Sequence, residues 1–129
     1  MLLRLIQRKQ YVMSSVILEL IGIQKQFNQT GLDSIEVFSD VNMTLSRGEM
    51  VGLFSPSGAG KTTLLQIAGL LDSPTLGKIM IDGQDTNLLS DADKTMLRNK
   101  KIGFVYQSNN LFTDFTAIEN VTIPQLLLG

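Results

Sequence analysis

The order of apolar and polar positions predicts that the chain opens with three strands. VILELIGI at 16–23 is a β-rich apolar run, and IEVFSDVNMTLS at 35–46 alternates apolar with polar residues as a half-buried strand does. A turn at 47–48 leads into a third, short apolar strand over 49–55.

The apolar spacing changes from strand-like to helix-like after a glycine-rich loop. From residue 61 onward the apolar positions are those of one helix face, namely Leu64, Leu65, Ile67, Ala68 and Leu71. The segment DSPTLG at 72–77 then ends the helix with proline and glycine.

A strand and a polar helix follow this turn. KIMID at 78–82 reads as a strand, with Asp82 as a turn residue at its end rather than a metal ligand. Ser90, with Asp93 three residues later, resembles an N-cap and predicts a helix to about Lys100.

The last part of the chain predicts one more strand and one more helix. KIGFVYQ at 101–107 is interpreted as a buried strand. A helix is expected to begin near Thr116, with Pro124 bending or breaking it. Glu119 is interpreted as a carboxylate on the face of that helix rather than as a catalytic base.

The stretch GLFSPSGAGKTTLLQIAGL at 52–70 carries the candidate chemistry. It fits the phosphate-binding pattern G-x-x-x-x-G-K-[ST], between an apolar strand and an amphipathic helix, except at its first glycine. Glycines let backbone amides converge on an anion, and the helix directs its positive end toward it. The predicted site comprises Ser57, Gly58, Ala59, Gly60, Lys61, Thr62 and Thr63, with Lys61 on the outer phosphates and Thr62 on Mg²⁺. The alternative is a strand–turn–helix whose glycines only make a turn.

Ser55 stands where the pattern has its first glycine. A serine is tolerated there if φ is negative, and costs about 1 kcal/mol or more if φ must be positive. On this basis we expect weakened ATP binding that a Ser55→Gly substitution would tighten.

The composition restricts the kinds of chemistry that the chain can perform and indicates no second functional site. The 129 residues contain no cysteine and no histidine, so disulfides, thiolate nucleophiles and imidazole bases are excluded. The net charge of −1 gives no argument for nucleic acid binding, and no apolar run approaches the length that spans a bilayer. Residues 1–12, which carry three positive charges, are expected to be an extension outside a domain spanning 13–129.

Together, SPSGAGKTTLLQIAGLLDSPTLGKIMIDG and IGFVYQSNNLFTDFTAIENV resemble the ATP-binding subunit of ABC transporters over about residues 16–129. LRNKKIGFVYQ, LFTDFTAIENV and ILELIGIQKQF look like the lipoprotein-releasing subgroup, although related efflux and cell-division cassettes share much of this pattern. The resemblance implies an α/β P-loop NTPase fold, here as its N-terminal portion, with an antiparallel β-subdomain and the start of a helical subdomain.

The resemblance also assigns roles to individual residues. Phe27 falls where the family has an aromatic residue that stacks on adenine, and Thr63 where it has an α-phosphate contact. Gln107 matches the Q-loop glutamine that reaches Mg²⁺, so Thr62 and Gln107 are the expected Mg²⁺ contacts. The alternatives are that Phe27 is a core or edge phenylalanine without a binding role and that Gln107 is a polar surface residue.

The family implies partners as well: transmembrane permease subunits, a second ATP-binding subunit, and a place on the cytoplasmic face of the bacterial inner membrane. The family's LSGGQ-type signature, its Asp-Glu strand and its switch histidine are not found in these residues. Two hypotheses therefore stay open: an ATPase subunit that energises lipoprotein release or a related export, and a partial cassette that binds ATP without turning it over. A small P-loop kinase or GTPase is the weaker third.

Overall fold

Two antiparallel sheets and three α-helices form the part of the chain that the computed structural model describes, residues 4–7, 15–27, 34–108 and 110–126. None of these helices has the length and apolar character needed to cross a membrane. The elements in chain order are β1 (Arg4–Gln7), β2 (Val16–Phe27), β3 (Ile35–Ser46), β4 (Val51–Phe54), α1 (Lys61–Ala68), β5 (Leu76–Ile81), β6 (Gln84–Asp85), a 3-10 helix (Thr86–Leu88), α2 (Asp91–Lys101) and α3 (Ala117–Leu126).

The larger sheet has the strand order β3-β2-β5-β6, and every pairing in it is antiparallel. β2 lies at its centre, where Leu20 pairs with Met43 on one side and Ile79 on the other. Helix α1 packs on this sheet because its apolar stripe meets the inward face of the strands. The resulting core consists of Leu20, Ile23, Phe38, Val41, Leu64, Ile67, Ile79 and Ile81.

The smaller sheet joins β1 to β4, the strand that leads into the glycine-rich loop. Arg4 pairs with Phe54 and Gln7 with Val51 in antiparallel register. The hydrophobic pattern did not predict this strand. The boundary between an extension at 1–12 and a domain from 13 stays a prediction, and residues 8–14 lie outside the described residues.

Several sequence predictions are confirmed at the level of single elements. The strand at 35–46 has the predicted bounds, and helix α1 begins at Lys61. Ser90 caps α2, since its hydroxyl accepts a hydrogen bond from the Asp93 amide at 3.2 Å. Asp82 is a turn residue between β5 and β6, with a φ of 48°.

The predicted buried strand at 101–107 is wrong. Residues 102–106 follow α2 without strand pairing, and the Val105 side chain is fully exposed, at 102%. A strand needs a neighbour for its amides and carbonyls, and no described strand pairs with this one. The apolar run is typical of a buried strand, but no described strand lies beside it to pair with it. Pro124 does not break α3 either, because the helix continues to Leu126.

Helix α3 begins with a reciprocal capping arrangement. The Glu119 amide donates to the Thr116 hydroxyl at 3.3 Å, while the Thr116 amide and hydroxyl donate to the Glu119 carboxylate at 2.8 and 2.7 Å. These two residues form a capping box, which explains why the helix starts where it does. The same hydrogen bonds, first from the Thr116 hydroxyl and then from its amide, hold the pKa of Glu119 below its usual value.

This arrangement predicts a pH dependence for the start of α3. Because the folded-state pKa of Glu119 is depressed, its contribution to stability is present above about pH 4 and is lost as the pH falls further. An NMR titration of the Glu119 carboxyl carbon should give a midpoint below about 4.3, the ordinary glutamate value. Thr116→Val, which removes the hydroxyl and keeps the shape, should raise that midpoint, and an unchanged midpoint would contradict the capping box.

Candidate phosphate-binding site

The loop between β4 and α1 has the backbone that its glycines predict. Gly58 and Gly60 have φ values of 78° and 82°, in the left-handed region that side chains other than glycine rarely adopt. Gly60 is the N-cap residue of α1, and its carbonyl accepts the first helical hydrogen bond, from the Leu64 amide at 2.9 Å. The chain therefore wraps once and enters the helix without a side chain in the way.

Gly60 also lies in contact with strand β3. A Cβ atom at this position would come within 2.6 Å of Val37 Cγ1 and 2.9 Å of Phe38 Cδ1. The adjacent Ala59 is 1% exposed, so the loop is packed onto the core at this point. At Gly58, by contrast, a Cβ atom would meet nothing within 4 Å. The two glycines thus share a backbone requirement, and only Gly60 has a packing requirement as well.

The first turn of α1 presents backbone donors. Gly60 gives no side-chain cap, and the first turn contains no acidic residue. The amides of Lys61, Thr62 and Thr63 have no carbonyl partner one turn earlier in the helix, as at any helix N-terminus. The Ala59 amide is the exception among the predicted donors, since it donates to the Pro56 carbonyl at 3.3 Å. The remaining geometry fits an anion, and in particular a phosphate group.

Lys61 turns back across the loop. Its ammonium donates to the carbonyls of Ser55 and Pro56, both at 2.8 Å, and to the Ser55 hydroxyl at 3.3 Å. The side chain therefore places its positive charge over the entrance of the loop, on the side from which β4 arrives. These acceptors are neutral, so a phosphate oxygen would compete with them effectively for the ammonium.

Of the two cases considered for Ser55, the structure shows the one without backbone strain. Among the described residues other than glycine, those with positive φ are Asp40, Leu70 and Asp82, and Ser55 is not one of them. It follows β4 directly and lies before the wrap, so a side chain costs nothing in the backbone there. Its carbonyl and hydroxyl instead serve as acceptors for Lys61.

The structure leaves the remaining predicted residues outside the loop. Phe27 is the last residue of β2 and is 48% exposed. Gln107 lies in an exposed bend, and no hydrogen bond recorded for the described residues joins it to the loop. Within the described part of the chain, no group of three or more acidic or other metal-ligating side chains forms a metal site. The roles of Phe27 and Gln107 therefore stay predictions.

Sequence reasoning missed one residue, which lies beside Phe27. Lys25 is 9% exposed and forms an ion pair with Asp72 at 2.8 Å, with its ammonium 5.0 Å from the centre of the Phe27 ring. The available signal was its place two residues before Phe27, on the same face of one strand. A lone lysine in a strand otherwise reads as a solvated charge.

The fold and the loop define an ABC-type nucleotide-binding domain, and comparison with known proteins agrees. The ABC transporter family matches residues 38–126, and the chain belongs to this family. It is 44% identical over 117 residues to the lipoprotein-releasing system ATP-binding protein LolD of Roseobacter denitrificans, covering 91% of this chain and 52% of that protein. A similar match, 47% identical over 111 residues, joins it to LolD 1 of Rhodopseudomonas palustris, with 86% and 49% covered.

A solved structure shows the same likeness in three dimensions. The ATP-binding cassette MJ0796, in a dimeric post-hydrolysis state bound to ADP and Pi, superposes with a TM-score of 0.77 and 38% identity. The match covers 88% of this chain and 48% of that one. The chain therefore spans about half the length of the relatives it matches. The predicted resemblance and the predicted fold class are both confirmed.

The two glycines of the loop give a matched test of its geometry. Gly58→Ala and Gly60→Ala each force a side chain into left-handed backbone, at about 1–2 kcal/mol. Gly60→Ala should lower the free energy of unfolding by at least about 1 kcal/mol more, since its Cβ atom would overlap Val37 and Phe38. Denaturant unfolding measures both variants. Equal losses would contradict the close packing of Gly60 on β3.

Proposed function

We propose that the chain is the nucleotide-binding portion of an ATP-binding subunit that powers an ABC transporter of the lipoprotein-releasing type. The observation that carries the proposal is the loop itself, with two left-handed glycines, first-turn amides of α1 and the ammonium of Lys61 gathered at one helix N-terminus. The LolD relatives support the choice of subgroup.

Different residues would contact different parts of the bound nucleotide. The amides of Gly58, Gly60, Lys61, Thr62 and Thr63 would hold phosphate oxygens, and Ser57 and Ala59 would shape the turn that presents them. Lys61 would exchange its carbonyl partners for the outer phosphates. Thr62, whose side chain is exposed, and Gln107 would contact Mg²⁺, which neutralises phosphate charge when bound. Phe27 would stack on the adenine ring.

The partners and the location are part of the same proposal. The subunit would pair with a second ATP-binding subunit and with transmembrane permease subunits at the cytoplasmic face of the inner membrane. Related efflux and cell-division systems use similar cassettes, and the LolD relatives favour lipoprotein release among them.

We expect ATP hydrolysis to require groups that these 129 residues do not contain. In-line attack on a γ-phosphate requires a positioned water and stabilisation of the developing charge. Lys61, Thr62 and Gln107 would supply charge and metal contacts, while Glu119 is held in the capping box of α3. We therefore expect the chain alone to bind MgATP without measurable hydrolysis.

Removing the loop ammonium tests the proposal. Lys61→Ala should weaken MgATP binding at least tenfold, because a charge-assisted contact to phosphate is lost. Lys100→Ala, on the exposed face of α2, is the matched control and should leave the affinity unchanged. Calorimetric titration of both variants measures the difference. Equal affinity of Lys61→Ala and the unsubstituted chain would refute nucleotide binding at this loop.

Ser55→Gly tests the reading of the loop entrance. The backbone of Ser55 does not have positive φ, and the substitution removes only the 3.3 Å contact between the serine hydroxyl and Lys61. The affinity for MgATP should therefore change by less than about threefold. A gain of tenfold or more would show that the serine strains the loop after all. The same titration provides the measurement.

A further inference from the structure

Lys25 is a buried cation whose hydrogen bonds are complete. A buried ammonium is costly unless it is paired, and Lys25 is only 9% exposed. It contacts Asp72 Oδ1 at 2.9 Å, Asp72 Oδ2 at 2.8 Å and the Ser73 carbonyl at 2.8 Å. An ammonium has three donors, so this environment fixes its position closely.

Asp72 is itself fixed by the end of the loop helix. Leu70 adopts left-handed backbone with a φ of 58°, and the Leu71 amide donates to the Gln66 carbonyl at 2.8 Å. This is a Schellman ending, which turns the chain sharply after α1. Arg98 of α2 donates to the Leu70 carbonyl at 2.8 Å and secures the turn from the other side. The carboxylate that holds Lys25 therefore lies just after the turn that ends α1, the helix whose first turn forms the phosphate site.

Lys25 in turn lies against Phe27. The two residues are two positions apart on β2 and therefore share one face of the strand. The ammonium lies over the Phe27 ring, 5.0 Å from its centre, which is a cation–π distance. Phe27 nevertheless keeps 48% of its surface exposed, so much of the ring stays accessible.

The end of β2 is anchored to the same turn by its backbone. The Gln26 amide donates to the Thr75 hydroxyl at 3.0 Å, and the Thr75 amide donates to the Gln24 carbonyl at 2.8 Å. The segment that carries Phe27 is thus attached to residues 72–75 both by backbone contacts and through the Lys25 side chain.

From this geometry we propose that Lys25 is a positioning residue for the adenine ring. The ammonium, fixed by Asp72 at the end of α1, holds the Phe27 ring in place so that its accessible surface receives the base. The contact also ties the base-binding end of the site to the helix that binds phosphate. The inference rests on the proposed function, because it takes Phe27 as the residue that stacks on adenine.

The energetic reason is preorganisation. A strand-end phenylalanine that is free to change rotamer must be ordered when a base stacks on it, and that ordering opposes binding. A cation held over one face of the ring restricts it before the ligand arrives. The effect should concern the base, since the side-chain contacts of Lys25 among the described residues are with Phe27, Asp72 and Ser73, outside the phosphate loop.

The test compares a ligand that has a base with one that has none. Lys25→Met keeps the length and apolar stem of the side chain and removes its charge. In calorimetry, this variant should bind MgATP about three- to tenfold more weakly. Its affinity for magnesium tripolyphosphate should stay within twofold of the unsubstituted chain. An equal loss for both ligands would show a general structural role, and no loss for either would show that Lys25 does not act on the ring. Either result overturns the proposal.

Two further variants keep the test decisive. Asp72→Asn preserves size and one acceptor oxygen, so it should produce a smaller loss of the same kind, for MgATP alone, even if Lys25→Met folds poorly. Phe27→Ala should also weaken MgATP alone, and combining it with Lys25→Met should add no further loss. Additive losses would contradict action through the ring.

The outcomes separate this inference from the proposed function. If Phe27→Ala leaves MgATP binding unchanged while Lys61→Ala abolishes it, the phosphate site stands and the role of Lys25 is refuted. If the unsubstituted chain binds neither MgATP nor tripolyphosphate, the proposed function fails and the inference fails with it.

Discussion

The close approach of Gly60 to strand β3 is the constraint on which the candidate site depends. At this residue the chain must have positive φ and must also pass within van der Waals contact of Val37 and Phe38. Glycine alone meets both demands at low cost. With Gly60 in place, α1 starts against the core, and its first-turn amides face the loop, as at any helix N-terminus. The sheet therefore determines where an anion can be held.

The same helix connects the loop with Phe27, the two ends of the proposed site. Its first turn carries Lys61, and its Schellman ending places Asp72 beside Lys25 and so beside Phe27. The core residues Leu64 and Ile67, both essentially buried, hold the helix between these ends. A short helix with a well-packed face can in this way set the spacing between a phosphate site and an aromatic residue.

The fold and the loop could be predicted from sequence wherever the signal is local. The alternation at 35–46, the Ser90 cap and the start of α1 all depend on residues within a few positions of one another, and the structure confirms them. The strand predicted at 101–107 failed because strand formation depends on a partner, which an apolar run cannot reveal. Lys25 was missed for a similar reason, since Asp72 lies 47 residues away. The effect of Ser55 was predicted from a sequence pattern that has glycine at this position, whereas the observed backbone does not need glycine there.

The central claim is that backbone amides at the start of α1 hold the phosphates of a nucleotide. Amide NMR shifts of the chain during titration with MgATP test it most directly, because they report on each donor separately. The account predicts large, saturable shifts at Gly58, Gly60, Lys61, Thr62 and Thr63, with the exposed middle of α2 unchanged. Saturable shifts confined to other parts of the chain, or none at these five amides, would contradict it.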